Sequence, residues 1–213
     1  MTTFLLIRHG QSVANLDDLF AGIYDKGLTK LGHTQAACTA RFIADTYPVD
    51  RIYSSDLPRA FSTAEHLARL LGLPVTPCPG VREIFAGDWE GRPFAELKQT
   101  HPEAYRLWMT DIGLSRCPGG ESVEEVAKRV HAALEQIARE NEGKTVAVFA
   151  HATPIRTMQW HVTGKPLSFL QQVNWVSNAS VTELSYADGR FSIVKVSQDA
   201  HLQELRTVLP SSV

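Results

Sequence analysis

Arg8 and His9 stand side by side directly after an apolar run, in the stretch FLLIRHGQSVAN. Residues 4–7 read as a buried strand, and burying a guanidinium and an imidazole next to them is costly unless each finds a partner. The pair is either satisfied structurally or placed at a strand end that faces a ligand. Two other stretches repeat the pattern. DRIYS runs into Ser54, Ser55 and, one helical turn later, Arg59, and TVAVFA ends in His151. On one rim, Arg8, Arg59, His9 and His151 would make an anion site. Arginine's planar fork suits phosphate oxygens. Helices starting at the same rim would add backbone N–H groups aimed at the same anion. Two imidazoles supply a nucleophile and a hydrogen-bond donor to developing charge. Neighbouring guanidinium charge lowers a histidine pKa, which is expected to keep His9 neutral and nucleophilic.

Strands alternating with helices would bring these residues together. TTFLLI is the first strand. Residues 29–46 form a helix with Thr29 as N-cap and Leu31, Cys38 and Phe42 on one face. DRIYS is a second strand. SSDLPRAFSTAEHLARLLG then reads as a helix capped by Asp56 or Ser55, with Pro58 in its first turn and an apolar stripe of Ala60, Ala64, Leu67, Ala68 and Leu71. Gly72 and Pro74 end it, and PVTP is a brief edge strand. Residues 84–120 hold Trp89, Trp108 and one helix near 94–109, and read as an insertion over the main body. Ser122 and Glu125 open the next helix as a capping box, with Val123, Val126, Val130, Leu134 and Ile137 along one face. KTVAVFAH is the clearest buried strand, followed by a short helix with Pro154 near its start. ASVTELSY and RFSIVKVS flank ADGR as a hairpin. This order predicts an α/β fold: a three-layer αβα sandwich with a mostly parallel central sheet and an antiparallel C-terminal hairpin. Ligands in such sheets bind beyond the strands' carboxyl ends, where the four residues above are expected.

The 213 residues fit a single domain over 1–213, with 84–120 as its lid or insertion. A formal charge of −2 gives no electrostatic case for nucleic acid or an anionic membrane. Cys38, Cys78 and Cys117 are odd in number and lack C-x-x-C spacing, which favours a reducing compartment over a disulfide framework or zinc site. No cationic region precedes the first apolar run and no stretch reaches membrane length, so a soluble cytoplasmic protein is expected. There is no H-E-x-x-H, no carboxylate-rich metal motif and no G-x-x-x-x-G-K-[ST] loop. Neither metal nor cofactor is expected, and the expected partner is a small phosphorylated substrate.

LIRHGQSVAN resembles the R-H-G signature of the histidine phosphatase superfamily, also called the phosphoglycerate mutase-like family. SSDLPRAFSTAE is similar to its second block, with Arg59 as the block's arginine. REIFAGDWEG is similar to the block carrying its acidic residue, Glu83. PGGES and AHATPIR resemble the remaining blocks, the latter supplying His151. The blocks come in family order and span nearly the whole chain. The resemblance implies that His9 attacks phosphorus in line and becomes a phosphohistidine. It implies that Glu83 protonates the leaving oxygen and then activates water, while Arg8, Arg59 and His151 hold the phosphoryl oxygens. Asn15, the backbone of Gly22 and the N–H of Ala152 are implied phosphoryl contacts. Ala21 stands where relatives often have a polar residue and can offer only backbone, and Ala152 stands where many have glycine.

The expected activity is a metal-independent phosphomonoester phosphatase. The rival within the family is a cofactor-dependent phosphoglycerate mutase, which typically has a longer insertion with extra basic residues. Here 84–120 is short and carries only Arg92, Lys98, Arg106 and Arg116. A non-catalytic phospho-ligand binder is a third reading, disfavoured by the presence of all five reacting residues. The remaining histidines are read as surface or packing residues, and Trp89, Trp108 and Trp160 as packing more than substrate contacts.

Overall fold

The structure is a computed structural model that describes residues 1–207, so the last six residues of the domain expected over 1–213 lie outside the described residues. The elements follow in the order β1 (Thr2–Arg8), α1 (Val13–Leu16), β2 (Leu19–Phe20), α2 (Lys30–Thr46), β3 (Arg51–Ser54), α3 (Pro58–Leu71), β4 (Val75–Pro77), β5 (Arg92–Pro93), α4 (Phe94–Thr100), α5 (Pro102–Thr110), α6 (Val123–Glu140), β6 (Thr145–Ala150), α7 (Ala152–Val162), β7 (Val181–Ala187) and β8 (Arg190–Gln198). Six strands form one sheet in the order β4-β3-β6-β1-β7-β8. The first four run parallel, and β7 and β8 are antiparallel. β2 and β5 make a separate two-stranded ribbon.

Both faces of the central strands are buried, which is why their sequences are continuously apolar. Side chains alternate between the faces. Leu5, Ile7, Ala147 and Phe149 pack with Ala40, Ile43, Ala64 and Leu67 of α2 and α3. Phe4, Leu6, Val146 and Val148 pack on the other face with α6 and α7 through Val126, Val130, Leu134 and Ile155. Each fully buried Leu, Ile or Phe contributes about 1.5–3 kcal/mol. That burial, more than strand propensity, holds strands as short as β3 in register. Residues 84–120 join the second core, contributing Ile84, Trp89, Leu97, Trp108 and Ile112.

The Ser122/Glu125 capping box is present on α6. Pro154 occupies the first turn of α7, where a missing N–H costs nothing. The hairpin turns on Asp188 and Gly189, both at positive φ, as a two-residue turn between right-twisted strands requires.

Three local expectations are corrected. The buried face of α2 is Gly32, Gln35, Ala36, Thr39, Ala40 and Ile43, whereas Leu31, Cys38 and Phe42 lie on its half-buried flank. Close packing selects small residues here. A Cβ on Gly32 would come 2.1 Å from the Gln11 carbonyl oxygen, and one on Gly10 would come 2.3 Å from the Gly32 carbonyl oxygen. The two polar residues are satisfied: Gln35 accepts from the Gln11 N–H and Thr39 donates to the Ala179 carbonyl.

Neither Asp56 nor Ser55 caps α3, whose N-cap is Leu57. Asp56 pairs instead with Arg82, and the Arg59 N–H in the first turn donates to Asp25 at 3.1 Å, a residue distant in sequence. The single helix expected near 94–109 is two, α4 and α5, broken at His101 because a residue before proline is driven out of the helical region.

Candidate active site

Strand register brings Arg8, His9 and His151 to one rim, and Arg59 joins them from the first turn of α3. Arg8 is level with Ala150 across β1 and β6, and Ser54 with Phe149 across β3 and β6. The ladder continues one residue further, with the His9 N–H on the Ala150 carbonyl (3.1 Å) and the Ser55 N–H on the Phe149 carbonyl (2.8 Å). His9 and His151 follow the last strand residues, and their ring centroids are 5.2 Å apart.

His9 Nδ1 lies 2.7 Å from the Gly10 carbonyl oxygen. A carbonyl only accepts, so Nδ1 carries the proton and Nε2 keeps its lone pair. That lone pair faces Arg59, whose Nε donates to it at 3.2 Å. The His9 pKa lies well below its ordinary value, chiefly through burial and then through Arg59 and Arg8. Guanidinium charge, the cause expected from sequence, is therefore the second cause.

Arg59 is 1% exposed. Its Nη1 pairs with Asp25 at 2.8 Å and its Nη2 donates to the Gly22 carbonyl at 2.7 Å. Arg8 donates through Nη1 to the Val176 carbonyl, while its Nε is buried without a partner among the described residues. Burial brings the Arg8 pKa down to about 10, with Glu83 opposing and Arg59 reinforcing the shift. His151 Nε2 meets Ser55 Oγ at 2.8 Å. Ser55 Oγ accepts the Leu57 N–H, leaving its own proton for His151 Nε2. His151 therefore carries its ring proton on Nδ1, which is buried and has no partner among the described residues. Arg8 Nε and His151 Nδ1 are thus two buried donors fitted to an oxyanion.

Asn15 Oδ1 accepts from the Ser12 N–H (3.1 Å) and from Asn178 Nδ2 (3.0 Å). This turns the Asn15 amide hydrogens toward the cleft that the residue lines. Gly22 also lines it, at φ +52°, where a Cβ would come 2.4 Å from Glu90 Oε1. Ala21 and Ala152 complete this part of the wall. Glu83 accepts from the Ile84 N–H (2.9 Å) and the Thr153 N–H (3.4 Å). It pairs with neither neighbouring arginine, since Arg82 goes to Asp56 and Arg92 to Glu96. The cleft encloses about 650 Å³ including its mouth. Trp108 lines it, whereas Trp89 is fully buried in the core.

Four positioning residues escaped the sequence reading. Asp25 holds Arg59, and Asn178 holds Asn15 and the His9 carbonyl. Arg129 clamps the carbonyls of Gly80, Arg82 and Glu83. Glu90 gathers the N–H groups of Ile23, Tyr24 and Ala86. Asp25 had one signal, its place in GIYD. The others work through contacts made only in the folded chain.

These environments have measurable consequences. Asp25 is 6% exposed at its side chain, and removing one partner of a buried pair typically costs about 3–5 kcal/mol. Asp25→Ala should destabilise the protein by that order, and inorganic phosphate should raise its Tm more than it raises that of the wild type, because an oxyanion replaces the lost carboxylate. Equal increments would refute this role for Asp25. A second consequence concerns pH. His9 and His151 are both depressed well below the ordinary histidine value, so the unfolded chain binds protons that the folded chain does not. Stability should therefore fall as pH drops below about 6.5, by at most about 1.4 kcal/mol per pH unit for each histidine. Urea midpoints between pH 7 and pH 5 measure this slope, and His151→Asn should reduce it.

Among the described residues, no group of three or more His, Cys, Asp or Glu side chains is disposed to hold a metal ion, and no helix is long and apolar enough to cross a membrane.

A mostly parallel sheet with Arg8, His9 and His151 at its strand ends, joined there by Arg59 from a helix and Glu83 from a loop, defines an α/β protein with a cleft suited to a phosphoryl group. The chain belongs to the histidine phosphatase superfamily (branch 1), whose family model matches residues 4–199. It is similar to a bifunctional protein of Mycobacterium tuberculosis, at 34% identity over 202 residues that cover 94% of this chain and 55% of the relative. The chain thus spans about half the length of the mycobacterial relatives it matches. It is also similar to phosphoserine phosphatase 1 of Hydrogenobacter thermophilus, at 31% identity over 204 residues and 96% of each chain. Its fold matches the solved structure of Bacillus stearothermophilus YhfR with a TM-score of 0.90, at 28% identity over 95% of this chain and 100% of that one.

Proposed function

We propose that the protein is a phosphomonoester phosphatase that acts on a small phosphorylated metabolite through a phosphohistidine at His9, without a divalent ion. One observation carries this reading: His9 offers an unprotonated Nε2 to a site that also holds Arg8, Arg59 and His151. Nε2 attacks phosphorus in line, the N–P bond forms and the bond to the ester oxygen breaks. Glu83, protonated at this stage, gives its proton to the departing oxygen. The Glu83 carboxylate then takes a proton from water, water oxygen attacks phosphorus, and the P–N bond breaks to release orthophosphate and restore the imidazole. Arg8, Arg59, His151 Nδ1 and the Asn15 amide stabilise the equatorial oxygens, the charge-neutralising work that a metal ion would otherwise do. The superfamily itself and the similarity to phosphoserine phosphatase 1 of Hydrogenobacter thermophilus support hydrolysis.

A mutase has less support. Arg92 and Arg116 are paired with Glu96 and Glu125, Lys98 and Arg106 are exposed, and none of the four lines the cleft. In this proposal 1–213 acts as one domain, 84–120 closes one side of the mouth, and the three free thiols favour a cytosolic setting. Rapid quenching with a 32P-labelled ester tests the reading. The expected product is an acid-labile, base-stable phosphoramidate at His9, with turnover unaffected by EDTA. No label on His9, or loss of turnover with chelator, overturns it.

A further inference from the structure

The cleft has two chemically distinct parts. Among the described residues, every basic side chain that lines it (Arg8, His9 and Arg59) belongs to the phosphoryl floor, beside Glu83. The remaining wall is mostly apolar, built from Leu19, Phe20, Ile84, Phe94, Trp108 and Trp175, and it carries one buried indole N–H, Trp108 Nε1, without a partner among the described residues. The ionisable side chain on this wall is a carboxylate, Asp18. The aromatic rings brace one another. Phe20 meets Trp108 edge-on at 4.8 Å and Phe94 at 5.3 Å, and Trp108 lies 6.2 Å from Trp175. Trp175 is backed by the Arg156 guanidinium, 4.2 Å from its ring centre. Arg156 does not line the cleft: it is buried and committed to the carbonyls of Leu170 and Val173. The wall is therefore pre-formed, and the cation behind it is occupied.

Phosphoserine and the phosphoglycerates carry a carboxylate within a few bonds of the ester oxygen. With the phosphoryl group on the floor, that carboxylate would lie against this aromatic wall, which offers it one indole N–H and no cation. A carboxylate desolvated without a compensating charge is strongly disfavoured. Residues 208–213, VLPSSV, contain no basic side chain that could supply one. We infer that the aromatic wall selects phosphomonoesters of apolar or aromatic alcohols that bear no carboxylate. This rests on the phosphatase reading above. It sets this chain's substrate class apart from that named by its phosphoserine phosphatase relative.

The test compares kcat/KM for 2-phenylethyl phosphate, O-phosphoserine and 3-phosphoglycerate, all esters of alkyl alcohols, so that leaving-group chemistry is similar. p-Nitrophenyl phosphate reports whether the enzyme works at all. The phenylethyl ester should exceed both carboxylated esters by at least about 10-fold, the scale on which an apolar pocket discriminates. Trp175→Ala should raise KM for the phenylethyl ester by about the same factor. Equal or better turnover of phosphoserine or 3-phosphoglycerate, with p-nitrophenyl phosphate still hydrolysed, overturns the inference and leaves the phosphatase reading standing. A preference that survives undiminished in Trp175→Ala overturns its assignment to this wall. No turnover of any ester, p-nitrophenyl phosphate included, overturns both.

Discussion

His9→Ala is expected to lower turnover of any phosphomonoester by at least about 10⁴-fold, the order seen when a nucleophile that acts as part of a catalytic unit is removed. The loss should fall on kcat. Arg8 and His151 remain, with Arg8 still on the Val176 carbonyl and His151 still on Ser55, so the phosphoryl group keeps most of its donors. Binding of orthophosphate, read by calorimetry, should therefore persist while covalent labelling disappears. Residual turnover within about 10-fold of wild type would mean that another atom attacks phosphorus. The variant also removes a buried neutral imidazole, so it should be less sensitive to acid than the wild type. That separates a folded, inactive protein from an unfolded one.

Glu83→Gln should have a large effect that depends on the ester. An amide cannot donate the proton that an alkoxide needs, and positioned general acids contribute about 10²–10⁴-fold. Alkyl phosphates should lose that much, whereas p-nitrophenyl phosphate, whose phenolate leaves with little help, should lose far less in its first step. Because the substitution also weakens activation of water, p-nitrophenol should be released in a burst, followed by slow dephosphorylation of His9. Equal damage to both ester types, with no burst, would take the proton-transfer role away from Glu83. The amide oxygen in Glu83→Gln would still accept from the Ile84 N–H, and what is lost is the long 3.4 Å contact from the Thr153 N–H to the other carboxylate oxygen, so only a small change in stability is expected.

Legibility in the sequence followed the range of the forces involved. The β1 run, the α6 capping box and the Asp-Gly hairpin are specified by neighbours in sequence, and all three lie where the pattern put them. The rim could be anticipated because parallel strands must end together, so Arg8, His9, Ser55 and His151 follow from topology. What could not be read depends on distant partners. The cap of α3 comes from Asp25, 34 residues before Arg59, so the local candidates Ser55 and Asp56 misled. The inner face of α2 went to Gly32, Ala36 and Ala40 because the chain needed proximity there, and a count of large apolar residues favours Leu31 and Phe42 instead. Asn178 and Arg129 are ordinary polar residues in sequence that act through backbone carbonyls far away. The His9 environment is a matter of burial, which no count of nearby arginines measures.

The contact between Gly10 and Gly32 carries a consequence for how this chain can vary. Each glycine's absent side chain is the room taken by main-chain oxygen on the other segment, Gly32 oxygen for one and Gln11 oxygen for the other. Main-chain atoms cannot be trimmed by mutation, so a methyl group added at either position has no compensating change at the other. The two sites are locked independently, and drift or engineering must leave both alone or move the loop that holds the imidazole.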